Sequence, residues 1–207
     1  MKQTITPSVM AKNQRELGLL LKKMQGVTKY LHLDIADGKC VPSRSLWFPF
    51  KLSQNFSYSA HLMVKHPLEW IKKHPNLDLY MVQAEEIKDW SQYFQFTKQH
   101  ELKRAVALPP NFNTKKLLPY LSQLHYILIL TVKPGYYGAP FVAKALRTIK
   151  VLKKHNPKLK FIVDGHMNPK NIPLAKKAGA NYFISGSYVT LADNPRRALK
   201  ELNDVLA

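Results

Sequence analysis

Four ionisable side chains lie inside short apolar segments of the chain, where an unpaired charge is costly. His32 and Asp34 alternate with apolar residues, and His61 and Asp164 lie in two other apolar segments. Residues two apart on a strand share a face, so His32 and Asp34 point the same way. Two imidazoles and two carboxylates that converge suit one divalent metal ion such as Zn²⁺, Fe²⁺, Mn²⁺ or Co²⁺. The sequence therefore predicts a metal site built from these four side chains.

Two of these residues also have simpler explanations. A lone histidine on a strand is commonly a hydrogen-bonded core residue, and this is the alternative for His61. Asp164 precedes Gly165, and an aspartate before a glycine often forms a turn. The pair of His32 and Asp34 is harder to explain in this way, because a single strand seldom directs two ionisable groups inward without a use for them. The metal hypothesis therefore depends on all four side chains meeting.

Three glycine-bearing segments follow apolar segments late in the chain. They are residues 132–138 (VKPGYYG), 164–166 (DGH) and 186–187 (GS). In barrel proteins, the backbone N–H groups of such loops form phosphate sites together with a helix N-terminus. Each glycine alone also fits an ordinary turn. The three loops together favour an anionic phosphate ligand over plain turns.

Short apolar segments alternate with amphipathic segments along the whole chain. The predicted strands cover residues 4–9, 30–35, 58–64, 77–83, 104–108, 126–132, 161–163 and 182–185. The predicted helices cover residues 13–24, 48–54, 67–74, 89–100, 114–121, 141–155, 168–178 and 194–205. Eight such units predict a small α/β protein, a single (β/α)8 TIM barrel, with a doubly wound open sheet as the alternative. In a barrel, the candidate residues lie at the carboxyl ends of strands, where barrel active sites are built.

The composition indicates one folded domain over residues 1–207. Apolar residues make up 45% of the chain and charged residues 22%, which excludes a disordered or collagenous chain. No apolar run approaches the roughly 20 residues of a membrane-spanning helix, and the first residues lack the apolar core of a secretion signal. The single cysteine, Cys40, excludes an internal disulfide. We therefore expect a cytoplasmic protein with no membrane partner.

The charge of the chain is strongly positive. Lysine and arginine number 32 against 13 aspartates and glutamates, which gives a formal net charge of +19. Such a protein attracts anions, including phosphorylated metabolites and nucleic acid. The basic residues are scattered and form no dense arm, so a solvated surface is expected and a nucleic-acid partner is not. A barrel without catalysis that binds phosphate or polyanions is the competing hypothesis.

Five segments of the sequence resemble the ribulose-phosphate 3-epimerase family. They are residues 31–42 (LHLDIADGKCVP), 61–67 (HLMVKHP), 132–138 (VKPGYYG), 163–165 (VDG) and 185–187 (SGS). The resemblance implies a (β/α)8 barrel that interconverts D-ribulose 5-phosphate and D-xylulose 5-phosphate in the pentose phosphate pathway. It also implies an assembly of two or more copies. Epimerisation of a six-carbon ketose phosphate such as allulose 6-phosphate is the alternative reaction.

The resemblance also implies roles for individual residues. His32, Asp34, His61 and Asp164 would hold one divalent metal ion (Zn, Fe, Mn or Co). Asp34 and Asp164 would be the catalytic pair, because inversion next to a ketone needs a base on one face and an acid on the other. The phosphorylated ketose would contact Ser8, His61, Gly135, Tyr136, Tyr137, Gly138, Gly165, His166, Gly186 and Ser187.

The chain departs from the family pattern at the walls of the expected site. Ala36 and Thr131 stand where the family has methionine or a similar apolar residue, and Gln83 stands in place of a histidine. Tyr137 and His166 fill positions that are usually glycine. The metal and proton-transfer residues are intact, so these departures bear on the sugar more than on the reaction type. Ala36 in place of a methionine would leave room for a longer sugar.

Overall fold

Eight parallel strands close into a barrel. The structure, a computed structural model, describes residues 4–136 and 139–207. The barrel strands are β1 (Thr4–Val9), β2 (Tyr30–Asp37), β4 (Ser57–Met63), β5 (Leu79–Gln83), β6 (Ala105–Leu108), β7 (Tyr126–Leu130), β8 (Lys160–Asp164) and β9 (Tyr182–Ser185). The short strand β3 (Arg44–Ser45) pairs antiparallel with β2. Strand β1 pairs with both β9 and β2 and so closes the ring. The predicted (β/α)8 barrel is confirmed.

The strand register brings the candidate side chains to one level. Asp34 on β2 pairs with His61 on β4, and Asp164 on β8 pairs with Ile184 on β9. His32 pairs with Ser8 on β1. Parallel strands place their carboxyl ends at the same edge, so these residues meet at one mouth of the barrel.

Apolar residues fill the inside of the barrel below that mouth. Seven buried residues form this inner core: Met81, Ala105, Ala107, Leu128, Leu130, Ile162 and Ile184. A second and larger apolar core packs the outer faces of the strands against the helices. The polar residues at the mouth therefore rest on a closed apolar floor.

Seven α-helices cover the barrel in the described part of the chain. They are α1 (Gln14–Met24), α2 (Pro67–Lys73), α3 (Trp90–Gln99), α4 (Arg147–His155), α5 (Ile172–Ala178), α6 (Ser187–Thr190) and α7 (Pro195–Asp204). Three of them have side-chain N-caps, since Asn13, Asp89 and Asn194 accept hydrogen bonds from backbone N–H groups of the first turn. None of these helices is long and apolar enough to cross a bilayer.

Two predicted helices are wrong. Residues 48–54 form no helix, because Phe48, Phe50 and Leu52 all pack against the outer core, and a spacing of two residues suits an extended segment and not a helix. Residues 114–121 form short 3-10 turns, Thr114–Lys116 and Leu118–Gln123, instead of an α-helix. The leucine spacing does mark the buried face, since Leu117 and Leu121 are buried. Pro119, however, removes a backbone donor that an α-helix over this segment would need.

Two other helices begin later than predicted. Helix α4 is preceded by a 3-10 turn over Ala143–Leu146. Helix α5 begins at Ile172 because the side chain of Asn168 accepts hydrogen bonds from the N–H groups of Lys170 and Asn171 and holds a turn before it. Neither change moves the mouth of the barrel.

Candidate active site

A pocket of about 200 Å³ opens at the carboxyl ends of the strands. Its walls come from the ends of β1, β2, β4, β7, β8 and β9 and from the loops that follow them. The lining residues are Ser8, Met10, Asp34, Ser43, His61, Met63, Leu130, Val132, Lys133, Pro134, Gly135, Tyr136, Ala139, Asp164, Gly165, His166, Gly186 and Ser187. This is the location where a barrel of this kind carries its function.

Three of the four predicted metal ligands form a compact group. His32, Asp34 and Asp164 each offer one ligand atom, and these atoms lie within 4.8 Å of one another. The Nδ1 atom of His32 lies 2.8 Å from the Ser59 hydroxyl, while its Nε2 atom lies 3.6 Å from Asp34 Oδ1. That Nε2 is buried and has no hydrogen-bond partner.

An unpartnered ring nitrogen between two carboxylates suits a divalent cation. With the Nδ1–H of His32 donating to Ser59, Nε2 carries a lone pair, which is the form of imidazole that binds metals. One nitrogen and two carboxylate oxygens are ligands that Zn²⁺, Fe²⁺, Mn²⁺ and Co²⁺ accept. The residues present therefore fit the predicted ion.

His61 lines the same pocket but lies outside this group of three. Its Nε2 lies 2.9 Å from the side-chain oxygen of Gln83, so Nε2 donates the hydrogen bond and Nδ1 is left free of the proton. Burial lowers the pKa of His61 to about 4, so the ring is neutral at pH 7. The fourth metal ligand stays a prediction, and Gln83 has a definite structural role.

The two aspartates, of which Asp34 is buried and Asp164 is half-buried, form a pair with raised pKa values. Burial is the main cause for each of them. The charge of Asp34 raises the pKa of Asp164 further, since two nearby carboxylates do not readily ionise together. Hydrogen bonds from Ser8 to Asp34 and from the Gly165 N–H to Asp164 act in the opposite direction. Such an environment favours one ionised and one protonated carboxyl group near neutral pH.

The loop after β8 is fixed by the side chain of Thr131. Its buried hydroxyl lies 2.8 Å from the carbonyl oxygen of Asp164 and 2.7 Å from that of Gly165. Gly165 has a φ of +111°, and a Cβ there would lie 2.9 Å from Val132. His166 continues the turn at a φ of +50°. The sequence pattern therefore places Asp164 on a tightly constrained turn.

Close approach explains the glycine after β9. A Cβ on Gly186 would lie 2.7 Å from the Ser8 hydroxyl, with no positive φ involved. Any side chain at this position would displace Ser8, which hydrogen-bonds to Asp34. The loop sequence Gly186-Ser187 thus keeps the wall of the pocket open beside the aspartate.

The structure brings most of the predicted substrate-contacting residues together. Ser8, His61, Gly135, Tyr136, Gly165, His166, Gly186 and Ser187 all line the pocket. Tyr137 and Gly138 lie outside the described residues. Sequence reasoning missed the pocket wall formed by Met10, Ser43, Met63 and Lys133, although Met10 and Met63 lie at the ends of predicted strands and Lys133 lies in a quoted loop.

The turn after β2 is structural. Asp37 accepts hydrogen bonds from the backbone N–H groups of Lys39, Cys40 and Lys65. These bonds hold its pKa below the ordinary value although burial acts against them. The carboxylate is saturated with donors, as expected for a turn former.

Fold and site together define a (β/α)8-barrel protein with a buried histidine–aspartate cluster at the carboxyl ends of its strands. The chain belongs to the ribulose-phosphate 3 epimerase family, whose sequence profile matches residues 4–190. The family resemblance seen in the five sequence segments is thereby confirmed.

Several curated relatives cover nearly the whole chain. Ribulose-phosphate 3-epimerase of Candida glabrata is 25% identical over 98% of this chain and 92% of its own length. The cytoplasmic isoform of Oryza sativa is 27% identical over 96% and 92%, and the Bacillus subtilis protein is 27% identical over 96% and 97%.

Solved structures with lower identity share the fold. KGPDC from Streptococcus mutans superposes with a TM-score of 0.69 at 11% identity, covering 100% of this chain and 98% of that one. The 3-hexulose-6-phosphate synthase of Salmonella typhimurium gives 0.67 at 14% identity, covering 100% and 98%. These matches support the barrel architecture alone.

Proposed function

We propose that this protein is a metal-dependent epimerase that inverts C3 of D-ribulose 5-phosphate to give D-xylulose 5-phosphate. The observation that carries the proposal is the pair of Asp34 and Asp164, both with raised pKa values, at the mouth of the barrel. Membership of the epimerase family and relatives with that name support it. A carboxylate pair at the base of a pocket has an evident use in proton transfer next to a carbonyl.

The two aspartates act as base and acid in turn. The ionised carboxylate removes the C3 proton on one face of the sugar and leaves an enediolate. The protonated carboxyl group then delivers its proton to the opposite face, which inverts the carbon and leaves the protonation states of the pair exchanged. The two residues belong to β2 and β8, with β9 and β1 between them in the ring, so they approach the pocket from different directions.

His32, Asp34 and Asp164 would hold the divalent metal ion, with His61 as the fourth ligand that the family resemblance implies. When bound, the ion supplies positive charge that stabilises the enediolate oxygens. The contribution of the chain itself is to orient the ligands: Ser59 fixes the ring of His32, and Gln83 fixes the ring of His61.

The remaining pocket residues would hold the substrate. Ser8 would contact the sugar, and the loops carrying Gly135–Gly138, Gly165-His166 and Gly186-Ser187 would hold the phosphate through backbone N–H groups. A fixed phosphate keeps the reacting carbon between the two carboxyl groups. The apolar floor and Met63 limit the access of water from below and from one side.

A five-carbon sugar is favoured over a six-carbon sugar. A longer sugar would need the space that the small side chain at position 36 is expected to leave over the substrate. Ala36 is completely buried, packs with Val41 and Met63, and is not part of the pocket wall. The small side chain is therefore compensated by neighbours, and no extra room results.

A coupled assay on the two candidate substrates tests the proposal. The metal-free enzyme is loaded with Mn²⁺, Fe²⁺, Co²⁺ or Zn²⁺, and kcat/KM is measured for D-ribulose 5-phosphate and allulose 6-phosphate. We expect turnover of the pentulose with exchange of its C3 hydrogen with D₂O, and loss of turnover in both Asp34→Asn and Asp164→Asn. Absence of turnover and exchange with every metal would overturn the proposal.

We further propose that residues 1–207 act as one catalytic domain, that the protein works in the cytoplasm and that it assembles as two or more copies. The rice relative named as a cytoplasmic isoform supports the location. Light scattering after gel filtration measures the assembly, and a monomer across micromolar concentrations would contradict it.

A further inference from the structure

One long segment of the chain is almost free of acidic residues. Residues 102–192 contain fifteen lysines and arginines, and Asp164 is the single acidic residue among them. The other acidic residues of the protein are therefore concentrated in the rest of the chain. The overall net charge does not reveal this asymmetry, because lysines and arginines occur throughout the chain.

The fold converts this segment into one continuous side of the barrel. Residues 102–192 build β6, β7, β8 and β9, which are consecutive neighbours in the ring, together with the helices α4, α5 and α6. Asp164 lies inside the mouth, so the outer surface of this half-barrel presents no carboxylate side chain. We call this surface the acid-free half.

The positive charges on the acid-free half are uncompensated. In residues 4–136 and 139–207, only Lys65, Arg197 and Lys200 among the lysines and arginines have a carboxylate within 4.0 Å. None of the three belongs to the acid-free half. A surface with so many unpaired cations repels itself unless an anionic partner or counterions neutralise it.

A cleft of about 740 Å³ lies at the amino-terminal end of the strands on this half. Its wall includes Lys103, Lys158, Lys160, His125, His155 and Tyr126, and no acidic residue lines it in the described part of the chain. The residues precede or begin β6, β7 and β8, so the cleft opens at the end of the barrel opposite the mouth.

The interior of the cleft combines cations with an aromatic ring. The ammonium group of Lys103 lies 6.0 Å from the centroid of the Tyr126 ring, and Tyr126 contacts the ring of Tyr182 at 6.2 Å. Burial and then the charges of Arg104 and Lys103 lower the pKa of His125. Two cations therefore lie close to His125 at this end of the barrel.

We propose that the acid-free half binds a single-stranded nucleic acid, with the cleft as its central site. A small phosphorylated ligand needs a few cations in one place, whereas these cations extend over α4, α5, the start of β8 and the turns between the elements of this half. A polymer of phosphates matches that extent. Cations beside an accessible aromatic ring suit a flexible strand whose bases stack. Basic residues occur on both halves of the barrel, but on this half no carboxylate side chain lies among them on the outer surface.

Fluorescence anisotropy with a fluorescein-labelled 20-nucleotide single-stranded RNA tests this inference on the full chain. The cleft variant replaces three exposed lysines in or beside the cleft, Lys103→Glu, Lys154→Glu and Lys158→Glu. The control variant makes the same change of charge on the opposite half, Lys22→Glu, Lys23→Glu and Lys73→Glu. We expect the cleft variant to raise Kd about tenfold or more at 100 mM KCl and the control to change it less than about threefold.

The salt dependence gives a second measurement. Each lost phosphate contact lowers the slope of log K against log salt by about 0.7 for a single strand, so three lysines correspond to about 2. Replacement of the same cleft residues by glutamine keeps the test valid if the glutamate variant does not fold, as judged by thermal melting.

Three results would overturn the inference. They are absence of RNA binding at 50 mM KCl, equal losses in the cleft and control variants, and a duplex or polyglutamate that binds as tightly as the single strand. The last result would assign the surface to a duplex or to an acidic protein. Epimerase activity is measured in parallel, and its presence or absence leaves this inference unchanged because the cleft and the mouth lie at opposite ends.

Discussion

Replacement of Thr131 by valine tests whether the loop after β8 positions the Asp164 carboxyl group for the proposed reaction. The side chain is completely buried, and its hydroxyl lies 2.8 Å from the Asp164 carbonyl oxygen and 2.7 Å from that of Gly165. Valine has nearly the same shape and lacks the hydroxyl, so the substitution removes this bond while creating almost no cavity.

The loss in the free energy of unfolding depends on which hydrogen-bond partners each carbonyl oxygen retains. The Asp164 carbonyl oxygen still accepts the Thr131 backbone N–H at 2.7 Å, whereas the Gly165 carbonyl oxygen loses the only partner described for it. Because Gly165 is only half-buried, we expect the loss to lie at the lower end of the range for buried acceptors, about 1 kcal/mol. For a chain of this size we expect Tm to fall by about 2–4 °C per kcal/mol.

The effect on activity should be larger than the effect on stability. The carbonyl groups at this turn belong to Asp164, whose carboxyl group we propose to be catalytic, and to its neighbour, so a relaxed turn displaces that group. Because a misplacement of about 1 Å costs about a hundredfold, we expect kcat to fall by about ten- to a hundredfold, with KM less affected.

Thr97→Val is the matched control. Thr97 is also buried, and its hydroxyl donates to the carbonyl oxygens of Tyr93 and Phe94, but it belongs to α3, away from the mouth. Thermal melts measure the effect on stability. Single-turnover rates, scaled to the folded fraction, measure the effect on activity. If Thr131→Val lowers Tm without changing kcat relative to Thr97→Val, the hydroxyl only stabilises the fold and the positioning argument is refuted.

Three further substitutions probe the site. Gly186→Ala places a methyl group 2.7 Å from the Ser8 hydroxyl, so we expect a several-fold higher KM with an unchanged far-UV spectrum, and an unchanged KM would contradict the contact. Gln83→Met leaves the buried Nε2 of His61 unpartnered, which should cost about 1–3 kcal/mol in urea denaturation; no loss would mean that the ring finds another acceptor. Metal at a hundred times its Kd should stabilise the native protein by about 2.7 kcal/mol in a thermal shift assay. His32→Ala should abolish that shift, and a retained shift would place the ion elsewhere.

The strand pattern was predictable because it depends on local alternation. The segment around His32 and Asp34 carries apolar residues on one face and ionisable residues on the other, and no contact from elsewhere is needed to see it. The helix predicted at residues 114–121 failed for an equally local reason, since Pro119 outweighs the leucine spacing.

The supports of the site were not predictable. Gln83 bonds His61 from 22 positions away and Thr131 bonds Gly165 from 34 positions away, so each pairing exists only after the barrel closes. Both residues stood out in the sequence only as departures from the family pattern. Their hydrogen bonds give these departures a structural purpose.

The apolar floor separates the two ends of the barrel. Its seven side chains are buried in the interior of the barrel, and the upper pocket and the lower cleft share no lining residue. We therefore expect that a tether attached on the underside, for example at Lys158, leaves the upper pocket unchanged.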